Sequence, residues 1–392
     1  MLRFHTAGES HGPALSVIVE GLPKGLPVRP DDLNRDLARR QRGYGRGGRM
    51  KLEHDEAVVL SGIRHGVTLG SPIAIQIVNR NFEQQWREVM SVWPPARPVP
   101  EIRMKRLTRP RPGHADLAGG LKYQARDLRE VLERASARET AARVAAGALC
   151  KLLLREIDVA IGSHVLQLAG VGVAASTYVP WRDVVAMETR EAPLRCVDRA
   201  TEAAMAAEVD RAKEAGDTLG GVFEVIAHTP PPGLGSATQW DRKIDGQLAQ
   251  AILSIPAVKA MEIGIGVTAA GWPGSRVHDP IAYRGKRFRR ETNHAGGTEG
   301  GITNGEELRV RGYKKPISTL RNALPSVDVA TKEPGPAAYE RSDVTALPAA
   351  GVIGEAMVAF VLARAAVEKY GGDTLAELAR AHLAHVKAVR SY

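Results

Sequence analysis

Apolar and polar positions alternate along two short stretches near the start of the chain, and the alternation predicts strands. Leu15, Val17 and Val19 alternate over residues 15–20, and Ile73, Ile75 and Ile77 over 73–78. Further stretches at 57–61, 159–171, 221–228 and 308–312 also read as strands. Elsewhere the spacing is helical. Pro30, Asp31 and Asp32 open a helix that runs to about Arg40, with proline in its first turn and acids near its positive end. Residues 201–215 form another, stopped by Gly216, and 240–255 a third. An apolar helix over about 352–369 ends at Gly371. Thr374 and Glu377 then make a capping box for a final amphipathic helix.

The stretch 133–154, ERASARETAARVAAGALCKLLL, carries the strongest helical pattern. Ala137, Ala141, Val144, Ala145, Ala148, Leu149 and Leu152 fall on one face. Its alanines and Gly147 make it thin, so neighbours can approach the backbone closely. Glu139 and Arg143 are spaced to pair across one turn. Arg134, Ser136, Arg138 and Thr140 crowd the N-terminal end, where free N–H groups and the macrodipole attract an anion. Taken alone, the same stretch also reads as an Ala-rich core helix with a charged first turn.

The chain has 392 residues, 44% of them hydrophobic, so a large core can form, and length alone predicts two or three domains. Lys and Arg number 54 against 44 Asp and Glu, a net charge of +10. That balance implies an anionic partner: nucleic acid, an acidic membrane surface or a small, multiply charged substrate. Aromatics at 5% argue against single strands held by stacking. Cys150 and Cys196 have no CxxC pairing, which fits a reducing cytosol. The N-terminus has no apolar signal core and no run of 18 apolar residues occurs, so the expected location is cytoplasmic.

Candidate chemistry lies in the segments between elements. FHTAGESHG at 4–12 reads as a polar loop ahead of the first strand, carrying Ser10 and His11. His5 and His11 lack a further ligand pattern, so no metal site is expected, and His11 alone could be a solvated loop histidine. QRGYGRGGRM at 41–50 follows a helix and precedes none, which rules out a dinucleotide-binding turn. Its glycines and arginines suit a mobile loop over residues 43–50 closing on an anion; a solvated basic loop or a nucleic-acid patch has the same composition. A Pro- and Arg-rich extended loop at 94–112 leads to RPGHAD, where Pro112 and Gly113 set a turn that presents His114. Residues 256–305 read as loop-rich, with glycine-dense backbone at 294–305 that a planar ligand could approach. No repeat, low-complexity linker or domain boundary is evident.

Together, GESHG at 8–12, RGYGRGGRM at 42–50, RPGHAD at 111–116, RASARETAARVAAGA at 134–148, KPIST at 315–319 and RSD at 341–343 strongly resemble the chorismate synthase family, over essentially the full length and in the family's order. Ala260 and Val267 depart from the family's frequent Gly and Phe, which bears on packing near the flavin region. The resemblance implies an α+β fold and one domain over residues 1–392, replacing the estimate from length. That fold is a β-α-β sandwich, with central helices between two antiparallel sheets, in a homotetramer. It implies a lyase acting on 5-enolpyruvylshikimate 3-phosphate with reduced FMN. Ser10, Arg40, Arg46, Arg49, Arg111, Ser136, Arg138 and Arg341 would hold the substrate. Arg134, Ala135, Ser136, Pro256, Ala257, Gly300, Lys315, Pro316, Ile317, Ser318, Thr319 and Arg341 would line FMN. His114 would act as the acid for the departing phosphate, His11 would protonate the reduced flavin ring, and Asp343 would be the base. NADPH or an external flavin reductase would supply electrons. A basic nucleic-acid-binding protein and a stand-alone flavin reductase are the alternatives from other classes.

Overall fold

The computed structural model describes residues 1–47, 54–94, 100, 104–174, 177–285, 287–340 and 343–392. It is an α+β sandwich with a helical layer between two antiparallel sheets. The first sheet has the order Arg3–Ala7, Ala14–Glu20, Ile73–Val78, Val58–Val59. The second runs Val258–Ile263, Leu308–Lys314, Gly221–His228, Ala160–Leu168, Val171–Gly172. In the first sheet Leu15, Val17, Val19, Ile73, Ile75 and Ile77 all point inward, as the two-residue period requires. Arg3–Ala7, expected as loop, is an edge strand paired from Arg3↔Glu20 to Ala7↔Ser16. Its polar residues lie at a sheet edge and so carry little periodic signal. Val258–Ile263 forms a strand inside the stretch expected to be loop-rich.

Between the sheets, Thr140–Arg155 packs on the first and Leu347–Tyr370 on the second, and the two helices pack on each other. Leu347–Tyr370 is long and apolar enough to cross a bilayer, yet 83% of its apolar window is buried inside the protein. A helix enclosed on all sides has no polar face to show. It begins five residues before the expected start. At its crossing with Thr140–Arg155, Gly147 meets Ala356 so closely that an added Cβ would lie 2.3 Å from the Ala356 Cβ and 2.4 Å from its Cα. Gly147→Ala should therefore force the helices apart and lower stability by roughly 1–3 kcal/mol, despite the better helix propensity of alanine. A urea midpoint equal to that of the wild type would refute this close approach.

Buried charges also tie the helical layer together. Lys151 Nζ lies 2.6 Å from carboxylate oxygens of both Asp36 and Glu355. Arg39, from Pro30–Gln41, donates to the same two acids at 2.9 and 2.7 Å. Burial would raise the pKa of Glu355, but Arg39 and Lys151 outweigh it and hold the carboxyl well below the usual range. Three helices thus share one ion network, and a one-residue slip of any of them would strand a buried charge.

Most other predicted elements form. Ile73–Val78 and Gly221–His228 match their expected bounds, Gly216 ends Arg199–Ala215 with φ 70°, and the capping box starts Leu375–Ser391. The helix expected over 240–255 is a short 3₁₀ turn, Trp240–Arg242, followed by Ile244–Leu253. The main correction is at 133–154. Arg129–Ala135 ends at Ser136, which is extended (φ −62°, ψ 141°), and a 3₁₀ turn leads into Thr140–Arg155. That break shapes the site.

Candidate active site

A cavity of about 1140 Å³ opens against the break at Ser136. Leaving the helix lets Arg138 turn inward, where it is 7% exposed. Its Nε and Nη2 donate to Asn79 Oδ1 at 3.0 and 2.9 Å, and its Nη1 pairs with Asp55. Arg40 reaches the same carboxylate at 3.3 Å, while its Nε donates to Thr140 Oγ1 and its Nη2 to the Ala137 carbonyl. Two arginines thus converge on one aspartate beside the cavity. Ser136 Oγ accepts from the Arg138 N–H at 3.3 Å, which replaces the helical bond lost at the break.

His11 packs flat on Trp86, with ring centroids 3.7 Å apart. Its Nδ1 is 2.8 Å from Glu133, which also accepts the His11 backbone N–H and an Arg129 bond at 3.0 Å. Burial pushes the Glu133 pKa up, but bonds and charge from His11 and Arg129 win and hold it below the usual value. A carboxylate at Nδ1 fixes the orientation of the ring.

His114 sits at the tip of the expected turn, where its N–H donates to the Arg111 carbonyl and Gly113 has φ 80°. Its Nδ1 is 2.5 Å from Oδ1 of Asp116, a fully buried acid. Arg111 donates to Asp116 from its backbone N–H at 3.0 Å and from Nε at 2.8 Å, and its Nη1 donates to Thr319 Oγ1. Burial opposes ionisation of Asp116, yet His114 and Arg111 hold its carboxyl far below the ordinary range. The contact assigns the proton to Nδ1 and leaves Nε2 for chemistry in the cavity. This is the carboxylate–histidine arrangement of many general acids.

Asp343 also borders the cavity. Its Oδ2 is 2.9 Å from Arg46 Nη1, and its Oδ1 accepts the Gly47 N–H at 2.6 Å. The guanidinium beside Asp343 is therefore Arg46, some 300 residues away in sequence, in place of the neighbour Arg341 that an extended segment implied; Arg341 lies outside the described residues. Arg49 is outside them too, as is part of the loop expected to close over an anion. The described part of that loop is anchored: Tyr44 Oη bonds Asp210 at 2.9 Å, and the Gly45 carbonyl accepts the Val344 N–H.

The family model for chorismate synthase matches residues 2–367. A chorismate synthase of Moorella thermoacetica is 56% identical over 377 residues, covering 96% of each chain. One of Acidobacterium capsulatum is 52% identical over the full length of both. A solved structure titled as the crystal structure of chorismate synthase has 42% identity and a TM-score of 0.80, covering 100% of this chain and 99% of its own. The chain belongs to the chorismate synthase family.

Of the residues that family resemblance implicates, Ser10, His11, Arg40, Arg46, Arg111, His114, Ser136, Arg138 and Asp343 border the one cavity, together with Ala135, Pro256, Ala257, Lys315, Ile317, Ser318 and Thr319. Three others stand apart from its lining. Arg134 turns away to the Gly8 and Thr6 carbonyls at 3.0 Å, so it braces the loop that carries His11. Gly300 sits in the turn between Thr298–Glu299 and Ile302–Thr303, and Pro316 lies behind Lys315 and Ile317. Ala260 and Val267, the departures from the family pattern, are both exposed and outside the lining. Sequence reasoning overlooked the carboxylates and amide that position the site: Asp55, Asn79, Asp116 and Glu133. Only Asp116 had a local signal, its two-residue spacing from His114. It also overlooked Trp86 and the buried Lys314.

Proposed function

We propose that this enzyme converts 5-enolpyruvylshikimate 3-phosphate to chorismate by 1,4-anti elimination of phosphate and the 6-pro-R hydrogen, with reduced FMN and no net redox change. The observation that carries the reading is His114, held through Nδ1 by buried Asp116 beside an arginine-lined cavity. The substrate bears two carboxylates and a phosphate, and a cavity lined by Arg40, Arg46, Arg111 and Arg138 suits such a multiply charged anion. His114 Nε2 donates a proton to the phosphate oxygen as the C–O bond breaks. Asp343, held by Arg46 and the Gly47 N–H, is the proton acceptor, and His11, positioned by Glu133, is the second proton donor.

A flavin fits the residues present. Ile255, Pro256, Ala257, Ile317 and Ile353 put apolar surface into the cavity lining, as a planar ring requires, and Arg46 Nε is a buried donor with no partner among the described residues. Pro256, Ala257 and Lys315–Thr319 would hold it there. Reduced FMN, when bound, supplies electron density that stabilises the breaking of an unactivated C–H bond. In the same reading residues 1–392 act as one domain, since a single apolar core runs from Leu2 to Leu378 through both sheets. The enzyme works in the cytoplasm as a homotetramer, with NADPH or an external flavin reductase as electron source. An anaerobic assay of purified protein with photoreduced FMN should release phosphate and chorismate in equal amounts. The comparison with NADPH plus FMN tells a self-reducing enzyme from a dependent one. Absence of both products with pre-reduced flavin would overturn the reading.

A further inference from the structure

Two lysines are equally buried in this protein, each 7% exposed, and their surroundings are opposite. Lys151 has two carboxylates at 2.6 Å. Lys314, the last residue of Leu308–Lys314, borders the cavity, and its Nζ reaches the Lys315 carbonyl at 3.2 Å. Among the described residues no carboxylate lies within ion-pair distance of it. The field of Asp343 reaches Lys314, but that acid is engaged by Arg46 and the Gly47 N–H. Lys315 and Arg46, also close, repel it. Loss of solvent is the largest influence, and the Lys314 pKa is pushed down to about 8. Arg111, by contrast, pairs with Asp116, and Arg40 and Arg138 both pair with Asp55. A buried ammonium left in this state is stabilised only when an anion enters.

The position of Lys314 indicates which anion. It pairs with Val258 across the sheet, and the next N–H, of Lys315, donates to the Ala257 carbonyl at 2.9 Å. Lys314 therefore stands where the 256–257 and 315–319 segments meet, in the lining it shares with Pro256, Ala257 and Ile317. The cations assigned to substrate, Arg40, Arg138 and Arg111, come from other elements. We propose that Lys314 is the counter-charge for the ring of reduced FMN, pairing with the negative charge the isoalloxazine carries once reduced. This rests on the flavin reading above. The oxidised ring is neutral and offers the ammonium no such partner, so Lys314 selects the reduced cofactor. An interaction with the FMN phosphate would favour neither state.

Anaerobic titration with oxidised FMN, reduced FMN and riboflavin separates these cases. Lys314→Met keeps the chain length and removes the charge. It should weaken reduced FMN about tenfold or more and leave oxidised FMN within about twofold. The potential of the bound flavin should fall by about 30 mV for each tenfold. Lys314→Arg should restore most of the preference. Lys314→Met should unfold at a urea concentration equal to or above that of the wild type, because it removes an unpaired buried charge. Equal weakening of both FMN states with riboflavin unaffected would assign Lys314 to the phosphate and overturn the proposal, as would no change in either state. Wild-type protein that binds FMN in neither state would overturn the flavin reading itself, and this inference with it.

Discussion

Replacing His114 with alanine should lower turnover by roughly 10²–10⁴ under anaerobic, pre-reduced conditions, the usual span for a lost general acid. Substrate and flavin affinities should stay within about tenfold, because the cavity's arginines have their own partners. Asp116→Asn tests the same proton from behind. The amide cannot accept the Nδ1 proton as a carboxylate does, so the ring loses its fixed tautomer and its counter-charge. Turnover should fall nearly as far as in His114→Ala, although His114 is intact. Asp116→Asn should also lose acid-dependent stability. The folded pKa of Asp116 is depressed, so its contribution is complete above about 3.8 and fades as pH falls toward the folded value. The two proteins should therefore differ in urea midpoint at neutral pH and converge in strong acid. Near-full activity of folded His114→Ala, with loss confined to the unfolding midpoint, would make His114 structural.

Asp343→Asn should cause the second large loss. Asparagine keeps an oxygen for the Gly47 N–H, at 2.6 Å in the wild type, and removes both basicity and the charge facing Arg46. A large fall in single-turnover rate with almost unchanged binding of substrate and FMN is expected, since binding does not need the proton transfer. His11→Ala should behave similarly, within the same range. The competing view is that Asp343 only orients Arg46, through the 2.9 Å contact. In that case binding weakens in step with activity, and the rate at saturation recovers. Flavin-fluorescence titration for both ligands, beside single-turnover rates, tells these apart. Weak binding with an unchanged saturated rate would remove Asp343 from the chemistry.

Local patterns determined much of this protein. Ile73–Val78 alternates because one face of its sheet is buried, and Gly221–His228 is a continuous run because both faces are. Gly216, Gly371 and the Thr374–Glu377 box act within a few residues, so helix ends could be read directly. The six motifs likewise named the family and most of the residues around the cavity. The break at Ser136 was masked by the apolar periodicity around it, although Ser136 and Glu139 have the spacing of a capping box. The partners that hold Arg138 after the break, Asp55 and Asn79, lie 83 and 59 residues away in sequence. The partner of His11 is 122 residues away and that of Asp343 nearly 300, and each pairing exists only because packed helices and sheet edges converge on one cavity. The state of Lys314 is also a tertiary matter. A lysine's charge is written in the sequence, but whether a carboxylate meets it depends on which side chains the fold brings within about 4 Å.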